Sequence, residues 1–288
     1  MCNSDAESEI AREFRPIIDE IASRSHDTYY KFVFRHPMDF YRQRARMVGA
    51  QGFARVLDAG QGYGQWTAAL AEMNGGVSAF DHSEPMVETA KYLLRHFSVA
   101  NASLEKLSIY DIGRRFEPDS FDLIWCWGVI MFVDRARVMP AFNRLLPMGG
   151  LVLLGSVNTP ARWAYKLEKG RRDGIPHQSF FDACERGRLG LHSETGVNAF
   201  SRDPAVTGQI VDQYGFEVVH LNYDGRIDVA GNRHLPFESL ERDDDENVEI
   251  VLRKDRAASN CAPLMTHRGP YLSMRNQSPA SIGVVLPV

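Results

Sequence analysis

The chain opens with two segments whose apolar residues recur at helical spacing. Residues 5–23 carry a stripe of isoleucine and phenylalanine with charged residues between them, which predicts an amphipathic helix. Residues 28–49 are aromatic and basic, and Pro37 divides them, so two helical pieces are predicted there. Together, residues 1–50 are predicted to form an N-terminal helical lid.

From Ala54 the pattern changes to short apolar runs that alternate with amphipathic stretches. Such alternation is typical of an α/β fold, in which helices cross over both faces of a mostly parallel sheet. Five strands are predicted: at residues 54–59, 77–81, 121–127 and 151–157, and one within the segment 103–111. Helices are predicted between them at residues 65–73, 83–96 and 134–146. Residues 51–255 are predicted to form this α/β domain.

The rhythm breaks after the fifth strand. Residues 158–202 are rich in Arg, Gly, His and Ser and are predicted to be an insertion. A helix at 204–214 follows, and then strands at 216–222 and 247–254. No apolar helical pattern of sufficient length separates these two strands, so an antiparallel pair is predicted. Residues 256–288 show no apolar period and are predicted to form a loose C-terminal tail.

Composition narrows the class of protein. The chain has 33 basic and 37 acidic residues, a formal charge of −4, which argues against a dedicated nucleic-acid binder. Its four cysteines are widely spaced and predict neither a metal site nor a disulfide framework. The first residues lack the apolar segment of a signal peptide, and no apolar run is long enough to span a bilayer. A cytoplasmic protein without a membrane partner is expected.

A glycine-rich turn lies between the first predicted strand and its helix, in VLDAGQGYG (56–64). Glycines let the backbone approach a ligand closely, and the following helix presents free N–H groups. Asp81 ends the next strand 21 residues after Gly60, where a carboxylate can accept both hydroxyls of a ribose. Asp111 follows the third strand and can accept from an adenine amino group. NAD and S-adenosylmethionine (SAM) share these requirements, although GxGxG differs from the dinucleotide pattern GxGxxG.

Six segments follow one another in a characteristic order: VLDAGQGYG, FDHSEPMVETAK (80–91), YDIG (110–113), FDLIWCWGVIMFVD (121–134), LLPMGGLVLLG (145–155) and YGFEVV (214–219). In these segments the chain resembles the class I SAM-dependent methyltransferases. The resemblance covers residues 54–157 and, more loosely, residues 204–254. It implies a seven-stranded sheet of order 3-2-1-4-5-7-6, with strand 7 antiparallel, and SAM as the cofactor.

The resemblance also implies roles for individual residues. It places Gly60, Gln61 and Gly62 near the methionyl part of SAM, Asp81 and His82 near the ribose, Met86, Asp111 and Ile112 around the adenine, and Trp127 at the methionyl end of the fourth strand. The chain departs from the family at Phe132, where related small-molecule enzymes often carry histidine. An acid–base role at that position is therefore not expected.

The lid and the insertion supply further candidates. Tyr29 or Tyr30 is predicted to lie near the sulfonium, and Arg44 to fork onto the methionyl carboxylate. The alternative for the lid is a helix that covers the sheet edge, with solvated arginines. The insertion is predicted to line an acceptor pocket through Tyr165, His177, Phe180, Phe181 and His192. His177 is the best candidate for a catalytic base, with an ordinary surface histidine as the alternative.

The function predicted from the sequence is methyl transfer from SAM to a small-molecule metabolite, at oxygen, nitrogen or carbon. Two alternatives remain open at this stage: a catalytically silent SAM-binding protein, and an NAD(P)-dependent oxidoreductase. The sequence identifies neither the acceptor nor the oligomeric state.

Overall fold

A computed structural model describes residues 10–24, 29–172, 200–231, 233–235 and 247–258. The helices are α1 (Ile18–Arg24), α2 (Tyr29–Phe34), α3 (Met38–Met47), α4 (Gln65–Ala71), α5 (Glu84–His96), α6 (Ile112–Arg115), α7 (Arg135–Leu145), α8 (Pro160–Arg172) and α9 (Pro204–Asp212). The strands are β1 (Val56–Ala59), β2 (Val77–Asp81), β3 (Ala102–Lys106), β4 (Leu123–Trp127), β5 (Leu151–Asn158), β6 (Phe216–Tyr223) and β7 (Asn247–Lys254).

The strands form a seven-stranded sheet of order β3-β2-β1-β4-β5-β7-β6. β1 to β5 are parallel, and β7 runs antiparallel to both β5 and β6. The predicted fold class is therefore confirmed, including the terminal antiparallel pair. Because parallel strands end at the same edge, the segments that follow β1, β2 and β4 all meet at the carboxyl edge of the sheet.

Helices cover both faces of the sheet. Ile124 and Trp125 are consecutive in β4 and both fully buried, but their side chains enter different hydrophobic cores. Trp125 packs with the N-terminal helices α1 to α5, whereas Ile124 packs with α7 and α9 through residues such as Phe142 and Val211. This double burial explains why the central strands read as nearly continuous apolar runs.

The N-terminal segment differs in part from its prediction. Residues 10–17 form turns, so the single helix predicted over residues 5–23 is wrong for this part, and only α1 is helical. Phe14 and Ile17 nevertheless keep the buried positions that their spacing indicated. The two helical pieces predicted on either side of Pro37 are observed as α2 and α3.

The predicted insertion and tail are described only at their ends. β5 continues to Asn158, and α8 begins at Pro160. At the other end of the predicted insertion, the backbone N–H of Phe200 donates to the Asn158 carbonyl. The start of the tail is anchored, because the Asn143 carboxamide donates to the Arg256 carbonyl and accepts from the Ala258 N–H. Residues 173–199 and 259–288 lie outside the described residues.

Candidate functional site

The glycine-rich turn of residues 60–64 is fastened to the neighbouring strand. The backbone N–H groups of Gly60 and Gln61 both donate to the carbonyl of Phe80 in β2, each at 3.0 Å. Gly60 has φ +85°, and a Cβ built on it would lie 2.4 Å from Cγ2 of Val129. Glycine is therefore required here both for the backbone conformation and for the approach of the segment that follows β4.

Asp81 joins this turn to the start of α5. One carboxylate oxygen accepts from the Gly62 N–H at 3.2 Å, and the other accepts from the Ser83 N–H at 2.9 Å. The imidazole of His82 lies 3.1 Å from the same carboxylate, and this hydrogen bond raises the pKa of His82. Asp81 is only 9% exposed. Its negative charge is thus held at the carboxyl edge, between two loops that a ligand can contact.

The residues of the turn fit a polar ligand. Gln61 is 2% exposed, and neither polar atom of its carboxamide has a hydrogen-bond partner among the residues that the structure describes. Such a group is costly to leave unpaired, so it favours a ligand that supplies the missing hydrogen bonds. A Cβ built at Gly62 would meet no atom within 4 Å, which shows open space above the turn.

The residues predicted to surround the adenine lie along the same edge. Asp111 is exposed and occupies the N-cap position of α6, and Ile112 is buried directly behind it. Met86 is half-buried on α5 and packs against the core of the opposite face. The structure therefore places these three residues on two sides of the edge, with Asp81 at the end of β2.

Asp58 lies beneath the turn and is fully buried. The Thr67 hydroxyl of α4 donates to its carboxylate at 2.6 Å. Burial raises the pKa of Asp58 to about 7; the Thr67 hydrogen bond opposes this shift, and the charge of Asp81 adds to it. Its contact with Thr67 ties α4 to β1, which fixes the two elements that flank the glycine turn.

Trp127 ends β4 at the same edge and is half-buried. Its ring covers Gly155 of β5, since a Cβ there would lie 1.9 Å from the indole Cε3. The ring centroid is 4.6 Å from that of Trp66 and 5.7 Å from that of Trp125. Trp127 therefore lies at the end of β4, the position predicted for it, and packs within a cluster of tryptophan rings.

Arg44 is placed differently from either prediction made for it. It is 1% exposed, so the solvated arginine is wrong at this position. Its Nη2 donates to Asp224 at 2.7 Å and also to Glu249, and its Nη1 donates to the Leu235 carbonyl at 2.6 Å. Arg44 thus donates to three acceptors within the protein, whereas the sequence predicted the methionyl carboxylate as its partner. The cofactor role of Arg44 stays a prediction.

Asp224 and Glu249 were missed from the sequence. They are 180 and 205 residues away from Arg44 along the chain, so no local spacing connects them. One signal was present: Glu249 is the single charged residue within the apolar run Val248–Leu252. Acids that are buried in proteins are usually paired with a cation or held by hydrogen bonds, so this position indicated a partner elsewhere in the chain.

The N-terminal segment that was predicted as a lid reaches the glycine turn through aromatic contacts. The ring of Tyr63, inside the turn, lies 6.4 Å from Tyr29 and 5.6 Å from Phe34, both on α2.

Tyr165 lies on α8, half-buried, with the Arg162 guanidinium 5.2 Å from its ring centroid. Phe132 is 42% exposed. His177, Phe180, Phe181 and His192 lie outside the described residues.

Within the described ranges, we find no group of three or more His, Cys, Asp or Glu side chains placed to hold a metal ion. Among the helices described, none combines the length and the apolar character that crossing a membrane requires.

Comparison with known proteins gives the family. Residues 56–150 match the model of a family described as "Methyltransferase domain". The ubiquinone biosynthesis O-methyltransferase of Thiobacillus denitrificans is 31% identical over 168 residues, which cover 56% of this chain and 67% of the relative. The chain belongs to the class I SAM-dependent methyltransferases. A relative with the same name from Xanthomonas campestris is 31% identical over 129 residues, which cover 44% of this chain.

This methyltransferase spans about half the length of the Xanthomonas relatives that it matches, 52% in the case of X. campestris. Solved structures agree on its fold. Geranyl diphosphate methyltransferase in complex with SAM has a TM-score of 0.53 at 16% identity, covering 80% of this chain and 92% of that one. The cyclase SpnF has a TM-score of 0.52 at 14% identity, covering 84% and 93%.

Proposed function

We propose that this methyltransferase transfers the methyl group of SAM to a small-molecule acceptor. The observation that carries the proposal is the position of Asp81. Its carboxylate ends β2 and holds the Gly62 and Ser83 N–H groups, beside an open glycine turn and across the edge from Trp127. A ribose diol needs such a carboxylate, and a charged methionyl group needs the free N–H groups of a helix start.

The site residues divide between the parts of the cofactor. Asp81 accepts the ribose hydroxyls with His82 beside it, and the orphaned carboxamide of Gln61 meets the methionyl part between Gly60 and Gly62. The adenine lies among Met86, Asp111 and Ile112, and Trp127 closes the methionyl end. When bound, SAM supplies a methyl group that its sulfonium already activates. The protein's work is then to align the acceptor and to exclude water.

We infer that the acceptor atom is oxygen, because both curated relatives described above are named O-methyltransferases. A hydroxyl acceptor must lose its proton, and a positioned base speeds that step. Phe132 has no titratable group, so the base has to come from elsewhere, and His177 of the insertion is proposed. Tyr165, half-buried on α8, is proposed as a wall of the acceptor pocket.

We also propose a cytoplasmic location and no nucleic-acid partner. The formal charge of −4 and the widely spaced cysteines support these proposals.

The second candidate function is SAM binding without methyl transfer. The exposed phenylalanine at position 132, where related enzymes often carry histidine, favours it. A fold neighbour named as a cyclase also shows that this architecture does not fix the reaction.

The experiment is a product screen. The purified chain is incubated with methyl-labelled SAM and a panel of phenols, aliphatic alcohols, amines and activated carbons, and the label is followed into the acceptor by mass spectrometry. We expect labelled phenol or alcohol together with S-adenosylhomocysteine (SAH), and much less of both from Asp81→Asn at the same SAM concentration. Binding of SAH without any product across the panel favours the second candidate, and failure to bind SAH or SAM contradicts both.

A further inference from the structure

A buried ion cluster lies next to the proposed cofactor site. Arg44, Asp224 and Glu249 are 1%, 5% and 0% exposed. Nη2 of Arg44 donates to both carboxylates, and the second Glu249 oxygen accepts from the Gly225 N–H at 3.0 Å. Burying three ionisable groups is costly: burial raises the pKa of Glu249 to about 8, although the charge of Arg44 opposes that shift. Apolar side chains of equal volume often stabilise a fold as well or better. The cluster therefore calls for a role besides stability.

The cluster joins parts of the chain that are far apart in sequence. Arg44 lies on the N-terminal helix α3, Asp224 directly follows β6, and Glu249 lies within β7. The Leu235 carbonyl also accepts from Arg44, and the Val229 N–H donates to Met47 at the end of α3. The guanidinium is thus fixed in position by helix α3, by the last strand and by the connection between the last two strands.

The fixed guanidinium faces Trp127. Its Cζ lies 5.0 Å from the centroid of the Trp127 ring, close enough for a cation–π contact. The same ring covers Gly155 and lies beside Trp66, at 4.6 Å between centroids. The indole is therefore held between a backbone without a Cβ, a second indole and the cation. It is the half-buried residue at the end of β4.

We propose that Asp224 and Glu249 are positioning residues of the cofactor site: through Arg44 they fix the Trp127 indole at the methionyl end of SAM. The inference rests on the proposed function. The Leu235 carbonyl on Nη1 and the two acids on Nη2 together fix the orientation of the guanidinium, and removing either acid takes away one of the contacts at Nη2. Neither acid needs to touch the cofactor for this role.

The test is a double-mutant cycle of E249Q and W127F with SAH as the probe, titrated by calorimetry. The glutamine of E249Q keeps the shape of the side chain, but its amide cannot ionise and offers one acceptor oxygen where the carboxyl group accepts from both Arg44 and the Gly225 N–H. We expect E249Q to weaken SAH binding about tenfold in the wild-type background and less than twofold in W127F, because Arg44 then has no indole to position. E217Q is the matched control. Glu217 lies on the neighbouring strand β6, and its ion pair with Arg253 is exposed to solvent. The E217Q variant should therefore leave SAH binding unchanged.

A second readout is the ¹⁹F spectrum of the protein labelled with 5-fluorotryptophan. The chain has four tryptophans, so four resonances are expected. W127F assigns the Trp127 resonance. E249Q should shift or broaden that resonance before SAH is added and leave the Trp163 resonance in place. If E249Q does not fold, D224N takes its place in both experiments.

Three outcomes overturn the proposal: an equal loss of SAH affinity in both backgrounds, a lowered melting temperature with unchanged SAH affinity, or an unmoved Trp127 resonance. If the wild-type chain does not bind SAH at all, the proposed function fails as well, which separates the two claims.

Discussion

Replacing Asp81 by asparagine tests the cofactor site at its charged centre. The carboxylate accepts from Gly62 at 3.2 Å and from Ser83 at 2.9 Å, and the proposed function adds the two ribose hydroxyls. Asparagine keeps the size of the side chain but offers one acceptor oxygen and no charge. A hydrogen bond to a charged group is worth about 1.5–3 kcal/mol, so the loss corresponds to about a 10- to 100-fold weaker affinity for SAH.

The assay is calorimetric titration of SAH into the wild type, Asp81→Asn and a control. Glu84→Gln is that control, because Glu84 lies three residues further on and its carboxylate is half-exposed, 3.6 Å from Lys106. We expect the control to bind SAH as the wild type does, and both variants to remain folded by circular dichroism. An affinity of Asp81→Asn within about threefold of the wild type would refute the ribose assignment, since it leaves less than about 0.7 kcal/mol for the charge.

Three further changes test other parts of the account. Gly60→Ala should lower the melting temperature and SAH affinity, since its Cβ would lie 2.4 Å from Val129; equal melting temperatures of Gly60→Ala and wild type would contradict this. Gly62→Ala has space for its Cβ, but φ +54° is strained for alanine, so it should lower the melting temperature less than Gly60→Ala does and also weaken SAH binding. The pKa of Asp58 is about 7 in the folded protein, above its value in the unfolded chain. The free energy of unfolding should therefore fall as the pH is raised from 5 to 7, by at most about 1.4 kcal/mol per pH unit. Asp58→Asn should flatten that slope in urea titrations at the two pH values, and an unchanged slope would show that the carboxyl is already ionised. Tyr165→Ala should raise the KM of the acceptor that the product screen identifies and leave SAH affinity within about threefold; a defect confined to SAH binding would remove Tyr165 from the acceptor pocket.

Much of the fold could be predicted because local patterns carry it. β7 was predicted at Asn247–Lys254 and is observed with those bounds, since its run of buried residues is flanked by polar ones. The first helix was overestimated, because residues 10–17 bury Phe14 and Ile17 from a series of turns with nearly the same spacing. Burial set that apolar pattern, and a helix is not the sole backbone that satisfies it.

The site could be predicted as far as short motifs reach. The glycine turn and Asp81 lie within 22 residues of one another. Glycines that allow close backbone approach and an acid that accepts ribose hydroxyls are the residue types that a nucleotide site uses, so the motif could be identified from the sequence. The partners of Arg44 could not be found this way, because Asp224 and Glu249 join it only after the sheet has formed. Sequence reasoning assigned its charge to the cofactor, whereas tertiary structure provides two carboxylates from the last strands.

We propose that the carboxyl edge of this sheet binds SAM and not a nicotinamide cofactor. Parallel calorimetric titrations of the wild-type chain with SAM, SAH and NADH test it most directly. We expect saturable one-to-one binding of SAM and SAH, and no measurable heat of binding with NADH. Binding of NADH, or saturation by neither SAM nor SAH, would contradict it.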